Sequence, residues 1–208
     1  MAKKKTQLAF KRAFDIVVAL IMLIILALPM LIIAILIKMD SPGPVYYRQE
    51  RVTAYGKRFK IHKFRTMVDN ADRIGSAVTV RGDARITKIG SKLRNLRIDE
   101  IPQLIDILTG NMSFVGTRPE TTKYVQRYTK EMYATLLLPA GVTSEASIRY
   151  KDEAVLLDKV DDIDAVYVEK VLPGKMRYNL QSISDFSFWG EIATMLRTVF
   201  AVLGKEFK

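Results

Sequence analysis

Asp99 and Glu100 stand side by side in Leu96-Arg97-Ile98-Asp99-Glu100-Ile101-Pro102-Gln103-Leu104, in a chain of 208 residues whose formal net charge is +11. Downstream, Ile101, Leu104, Ile105 and Leu108 recur at helical spacing and predict a short amphipathic helix. Pro102 fits only the first turn of such a helix, so Asp99 is expected near the N-cap and Glu100 just inside. The free backbone N–H groups and the positive end of the helix dipole would favour an ionised carboxylate there, and any phosphate that came near. A carboxylate beside a phosphate can act as a nucleophile or hold a metal ion. It can also be a helix cap and nothing more.

The bases around the pair bear on that choice. Phe59-Lys60-Ile61-His62-Lys63-Phe64-Arg65-Thr66-Met67 mixes aromatics with cations and reads as a strand able to grip a phosphate. Arg85, Lys88, Arg94 and Arg97 precede the acids, which suits a polyanion site; a solvated basic face at a membrane surface is the competing explanation. After the acids, Gly110-Asn111-Met112-Ser113-Phe114-Val115-Gly116-Thr117-Arg118-Pro119-Glu120 reads as a sharply turned loop, with Arg118 offering a planar fork to phosphate. Neither GxxxxGK[ST] nor GxGxxG occurs, so P-loop and Rossmann nucleotide binding are not indicated. There is no cysteine, which excludes disulfides and thiolate metal sites, and His62, the one histidine, reads as structural. Asp161, Asp162 and Asp164 read as the start of a helix through Tyr167 and Lys170, not as a metal cluster.

Three features position these residues. A basic leader containing Lys3, Lys4, Lys5, Lys11 and Arg12 precedes residues 16–37, an uncharged apolar run that would span about 33 Å as a straight helix, enough to cross a bilayer. Pro29 lies near its middle, and Lys38, Arg48, Arg51, Lys57 and Arg58 make the far flank as basic as the near one. Because Lys and Arg prefer the cytoplasmic side, a helix broken at Pro29 that enters and leaves through one leaflet satisfies both flanks; an ordinary kinked spanning helix is the alternative. Ser41-Pro42-Gly43-Pro44 then ends the membrane helix, short strands follow in residues 45–49 and 57–65, and residues 121–138 read as a helix. Finally Phe188, Trp189, Ile192, Met195, Leu196, Val199, Phe200 and Leu203 form an apolar stripe, with Lys205 beyond it, suited to the core or to lying on a bilayer. By element count the fold class is α/β: residues 1–40 as leader and membrane helix, and residues 41–208 as a small, mainly helical domain with short strands.

From Lys11 to about Val202 the chain resembles the monotopic phosphoglycosyl transferases, also called bacterial sugar transferases, of the compact single-domain kind. The resemblance rests on the Pro-interrupted apolar helix, the Phe59–Met67 stretch, Asp83-Ala84-Arg85-Ile86-Thr87, Ile98-Asp99-Glu100-Ile101-Pro102-Gln103-Leu104, and Gly110 through Pro119, in that order. Departures are Leu28 where a Ser is frequent before the Pro, Thr53 where a Gly is common, Thr117 for a frequent Pro, and an unusual segment over residues 139–149.

The resemblance implies a monotopic enzyme on the cytoplasmic face of the bacterial inner membrane, held in the leaflet by a re-entrant helix. It implies transfer of a sugar 1-phosphate from a UDP-sugar to polyprenyl (undecaprenyl) phosphate, with release of UMP. Asp99 would form a covalent phosphosugar–aspartate, Glu100 would help hold Mg²⁺, Arg118 would bind phosphate, and Lys63, Arg65 and Arg85 would belong to the basic wall. No nucleic acid is implied, and a homodimer is compatible with it. From a different class, a membrane-tethered basic module that binds nucleic acid or anionic lipid would need no acidic pair at all.

Overall fold

Apolar residues without interruption favour a helix, and the structure, a computed structural model that describes residues 2–74, 82–157, 160 and 162–202, forms one over the leader and the apolar run together: α1 (Ala2–Asp40). Its stretch Lys5–Asp40 is long and apolar enough to cross a membrane. The helix is continuous, with Pro29 inside it, so the expected break is not an interruption of helical structure. Proline removes one backbone hydrogen bond, and one face of the helix packs on the rest of the protein. Lys11, Asp15, Ala19, Met30 and Ile37 are buried and Leu23, Leu26 and Ile33 partly so, a stripe at spacings of three and four. Leu20, Ile24, Leu28, Leu31, Ile35 and Met39 on the remaining surface are exposed.

Both ends of α1 are tied to the same domain. Near its start, Lys11 Nζ donates to Val115 O (2.9 Å) and pairs with Glu191 Oε2 (2.5 Å). Arg12 donates to Ile107 O (2.6 Å) and Leu108 O (2.9 Å), carbonyls that end a later helix. At the other end Arg65 donates to Ser41 O (2.6 Å), Pro42 O (2.5 Å) and Ile37 O (3.4 Å), and Asp40 Oδ2 accepts from Ile89 N (3.0 Å).

The expected strands at 45–49 and 57–65 form in part, as four shorter strands in a nested hairpin, with one of them, at 50–52, in the stretch expected to be loop. β1 (Tyr46–Tyr47) pairs antiparallel with β4 (Lys63–Phe64), and inside it β2 (Glu50–Val52) pairs with β3 (Arg58–Lys60), Arg51 opposite Phe59. α2 (Ala71–Ile74) and α3 (Lys88–Asn95) follow, the latter capped by Thr87 Oγ1, which accepts from Gly90 N (3.0 Å). α4 (Gln103–Leu108) then packs on α1 through Leu104 and Ile107. His62 is fixed to α4, its backbone N and ring Nδ1 each 2.8 Å from the buried Asp106 carboxylate, a structural role as expected.

Two expectations are corrected. The stretch after α4 is not a loop throughout: Met112–Val115 is a fully buried strand, β5, parallel to β6 (Ala140–Thr143). A Cβ on Gly116 would lie 2.6 Å from Pro139 O and one on Gly141 2.1 Å from Gly116 N, so the close approach of these backbones needs both glycines. Residues 121–138 are not one helix either; α5 (Thr122–Val125) stops after one turn, and a 3-10 segment, Met132–Leu137, follows. β-branched and aromatic side chains have poor helix propensity, and burying Tyr124 and Tyr128 together turns the chain.

α6 (Glu145–Arg149), α7 (Glu153–Leu156) and α8 (Ile163–Val166) are short, and α8 is capped as expected by Asp162, whose Oδ1 accepts from Ala165 N (2.9 Å). A π-helical turn, Tyr167–Val171, leads into α9 (Leu172–Ser184), and α10 (Phe188–Val202) returns along α1 and β5. α10 buries Thr194 and packs Met195 on the core, yet leaves Leu196, Val199, Val202 and Trp189 exposed, the last at 76%. Leu203 and Lys205 of the expected stripe lie outside the described residues.

Candidate active site

Asp99 and Glu100 do not start α4. They lie in a separate 3-10 turn, Ile98–Glu100, entered through Arg97 in the left-handed region (φ 57°). Pro102 is at home only at a helix edge and draws the start of α4 to itself, so Gln103 is the first helical residue. The intervening backbone closes with i→i+3 bonds, Ile101 N to Ile98 O (3.3 Å) and Leu104 N to Ile101 O (3.1 Å). The N-cap expectation is thereby corrected; what surrounds the acids is side-chain cations.

Glu100 is gripped from two directions. Its Oε1 accepts from Lys63 Nζ (2.7 Å) and Arg118 Nη2 (2.6 Å), and its Oε2 from Arg118 Nη1 (3.3 Å). Lys63 comes from β4 and Arg118 from the turn after β5, so the carboxylate joins hairpin, acid turn and the Gly-rich segment. Burial alone would raise the Glu100 pKa; Arg118 and Lys63 outweigh it and hold the carboxyl well below its ordinary range. Arg118 is correspondingly held more firmly cationic by Glu100, whereas burial lowers Lys63 and Glu100 restores only part of that loss.

Asp99 is set the opposite way. It is 9% exposed, and its pKa is raised, first by burial and then by the Glu100 charge, against the pull of Lys63, Arg94 and Arg118. It faces a cavity of about 520 Å³ whose walls include Tyr47, Arg48, Arg51, Lys63, Arg85 and Arg94. One buried carboxylate with its pKa raised, in a cationic cleft beside a second whose pKa is lowered, is the kind of split that acid and base groups of active sites show.

Of the expected site residues, Asp99, Glu100, Lys63 and Arg118 come together. Arg65 borders the cavity, but its terminal nitrogens are spent on the carbonyls that close α1. Arg85 also borders it, in a fork with Asp83 (Nε to Oδ1 2.9 Å, Nη2 to Oδ2 2.6 Å) and with Nη1 on Ala71 O (3.0 Å). Both act first as braces. Pro29 lies outside this site, in α1. Arg94, one of the bases crowding the acids in sequence, enters the wall; Tyr47, Arg48 and Arg51 are additions that only the nested hairpin register brings there.

Behind Arg118 is a buried polar chain. Tyr167 Oη donates to Glu120 Oε1 (2.5 Å), and Lys175 Nζ donates to Tyr167 Oη (3.0 Å) and Glu153 Oε2 (3.0 Å). Arg51 Nη1 reaches Pro119 O (3.2 Å), and Val52 N donates to Glu120 O (2.9 Å). The segment carrying Arg118 is therefore fixed on both flanks. Among the described residues no group of three or more His, Asp or Glu side chains gathers as a metal cage. Magnesium commonly takes only one or two carboxylates and completes its shell with substrate phosphates and water. Asp99 and Glu100 meet that requirement, with Glu100 Oε2, which has the one long contact, the oxygen with spare capacity.

The fold joins an N-terminal helix long and apolar enough to cross a membrane to a small helical domain, and carries an Asp-Glu pair walled by bases. The chain belongs to the bacterial sugar transferase family, whose model matches residues 6–205. It is 34% identical over 197 residues to UDP-N-acetylgalactosamine-undecaprenyl-phosphate N-acetylgalactosaminephosphotransferase of Aeromonas hydrophila, covering 93% of this chain and 43% of that protein. It is also 34% identical over 195 residues to UDP-glucose:undecaprenyl-phosphate glucose-1-phosphate transferase of Escherichia coli, covering 91% and 39% respectively. A Caulobacter vibrioides protein of the same description is 33% identical over 196 residues, covering 93% of this chain and 69% of that one. The chain thus spans about two-fifths of the first two relatives.

Opposite shifts in two adjacent acids predict opposite effects of neutralising them. Asp99→Asn removes a charge that the fold holds at a cost, so Tm at pH 7 rises by a few degrees. Because the folded Asp99 pKa is raised, that gain shrinks as pH falls through the folded value and is gone only below the unfolded value of about 3.9. Glu100→Gln leaves Lys63 buried without its counter-charge, costing about 3 kcal/mol and lowering Tm on the order of 10 °C. Thermal melts of both variants across pH 4–8 check this; equal shifts of the same sign would contradict it.

Proposed function

We propose that this protein transfers a sugar 1-phosphate from a UDP-sugar to polyprenyl phosphate and releases UMP, as the first membrane step of a bacterial glycan or glycoconjugate pathway. The observation that carries the reading is the unequal acid pair, Asp99 with its pKa raised and Glu100 clamped between Lys63 and Arg118. The names of the relatives supply the substrate class.

In the proposed course an Asp99 carboxylate oxygen attacks the sugar-bearing phosphorus. The bond from that phosphorus to the bridging oxygen breaks, and UMP departs with the electron pair. The product is an aspartyl phosphodiester carrying the sugar. A polyprenyl phosphate oxygen then attacks the same phosphorus, Asp99 leaves as carboxylate, and the sugar is left on a polyprenyl diphosphate. A carboxylate whose proton affinity has been raised is a stronger nucleophile once deprotonated. Arg94 and Lys63 offer fixed positive charge for the phosphates beside Asp99, and Arg118 both binds phosphate and orients Glu100. Arg85 completes the wall, and Arg65 contributes by fixing the end of α1. Mg²⁺, held by Glu100 with Asp99 beside it, would supply charge neutralisation for the diphosphate.

The membrane arrangement belongs to the same proposal. Lys11 and Arg12 at one end of α1 and Asp40 at the other reach the same domain, which supports a helix that enters and leaves one leaflet at the cytoplasmic face of the inner membrane. Its exposed apolar surface, with that of α10, would meet lipid.

Two measurements test these statements. In UMP-release assays with a panel of UDP-sugars, Mg²⁺ and undecaprenyl phosphate, one donor should give acceptor-dependent UMP that falls at least about 10³-fold in Asp99→Asn. Absence of release with every donor, or anion binding indifferent to Asp99, would favour the basic binding module. The native chain has no cysteine, so Thr6→Cys and Lys57→Cys can each be labelled with an impermeant maleimide. Both should react from the cytoplasmic side only; labelling from opposite sides would establish a spanning helix.

A further inference from the structure

A second cavity, of about 320 Å³, lies between α9 and α10, closed by the start of α6 and by Gly116 and Thr117. Its chemistry differs from that of the Asp99 cleft. Asn179 on its wall is 4% exposed, and among the described residues its Oδ1 meets no hydrogen-bond donor, while its Nδ2 meets only the Met176 sulfur at 3.8 Å. Arg197 Nε is likewise buried without an acceptor. A buried polar atom left unpaired is destabilising, so a cavity that keeps an acceptor and a donor open is suited to something that supplies both.

Charge narrows the class. Glu145 sits between Arg149 (Nε to Oε1, 2.9 Å) and Arg197 (Nη1 to Oε2, 3.1 Å), while Asp185 also borders the cavity and Glu191 there is paired with Lys11. Positive and negative groups offset one another, so nothing here selects a phosphate. Around these ion pairs stand the hydroxyls of Ser144 and Ser182 and the ring of Tyr178, whose face the Arg149 guanidinium covers at 4.8 Å. A wall that combines amide, hydroxyl, carboxylate and guanidinium groups with an aromatic side chain suits a neutral ligand whose hydroxyls both donate and accept.

We propose that this cavity binds a hexopyranose ring, with Asn179, Glu145 and Arg197 as its hydrogen-bonding partners. The ring has two sources, the sugar of the nucleotide donor or a sugar already carried by a lipid-linked product. Thr117 borders this cavity and the next residue, Arg118, holds Glu100, so an occupant here lies against the loop that sets the acid pair. It also gives a use to the unusual 139–149 segment, which supplies Ser144, Glu145 and Arg149. Assignment to the donor sugar rests on the proposed transferase reading; binding of a saccharide does not.

The test uses the full chain in nanodiscs, titrated with methyl glycosides of glucose, galactose, N-acetylglucosamine and N-acetylgalactosamine by ligand-observed NMR. At least one should bind saturably in the millimolar range, at least 10-fold weaker both in Asn179→Leu and in Ser182→Tyr, which plugs the cavity from an exposed rim position. No saturable binding by any glycoside, or binding unchanged in both variants, overturns the proposal. A companion arm compares the UDP-sugar KM with the inhibition constant of UDP in the same variants. A KM raised at least 10-fold with UDP inhibition unchanged assigns the donor sugar; an unchanged KM with glycoside binding lost assigns the lipid-linked product. Wild-type protein that binds a glycoside but releases no UMP retains the saccharide cavity and contradicts the transferase reading instead.

Discussion

The structure turns on a single carboxylate held by two cations. Glu100 is the point where β4, the 3-10 acid turn and the segment after β5 meet, and its ion pairs with Lys63 and Arg118 are what set Asp99 beside it. A charge buried among cations stays ionised; the acid next to it then feels both burial and a fixed negative neighbour. Neither shift requires a helix dipole. The pair is a clamped acid with a lowered pKa beside one with a raised pKa, and the two are not equivalent.

That clamp depends on supports far from it in sequence. Arg118 is steadied through Pro119 and Glu120 by Arg51, Tyr167 and Lys175, so the π-helical turn and α9 bear on a residue that touches Glu100. Lys63 is steadied through the neighbouring His62–Asp106 contact, which fixes the hairpin to α4. α4 in turn lies on α1, where Arg12 caps its last carbonyls. The apolar helix is thus a structural wall of the domain as well as a hydrophobic surface. Removing it would expose Leu104, Ile107 and Phe64, core residues that otherwise have α1 as their neighbour.

Much of this was legible in the sequence because it is local. The apolar run, the acid pair, the Arg118 turn and the Asp162 cap follow from spacing and side-chain type within a few residues. What was not legible needed pairings across the chain. The register that brings Tyr47, Arg48 and Arg51 to the cavity depends on which halves of two short strands meet. β5 reads as a loop because its neighbours are glycines, yet those glycines serve close packing on β6. Arg65 and Arg85 carry the right charge for phosphate, and only the folded chain shows their nitrogens engaged by carbonyls and by Asp83. Pro102 was read correctly as a helix-start residue, but it starts the helix at itself, which leaves Asp99 in the turn before it.

The central claim is that Asp99, and not Glu100, bonds to phosphorus. The direct measurement is peptide mass spectrometry of protein incubated with its UDP-sugar in the absence of polyprenyl phosphate. The account predicts one sugar-phosphate adduct per chain, located on Asp99, absent from Asp99→Asn and discharged when polyprenyl phosphate is added. Full turnover with no adduct, or an adduct on Glu100, would contradict it.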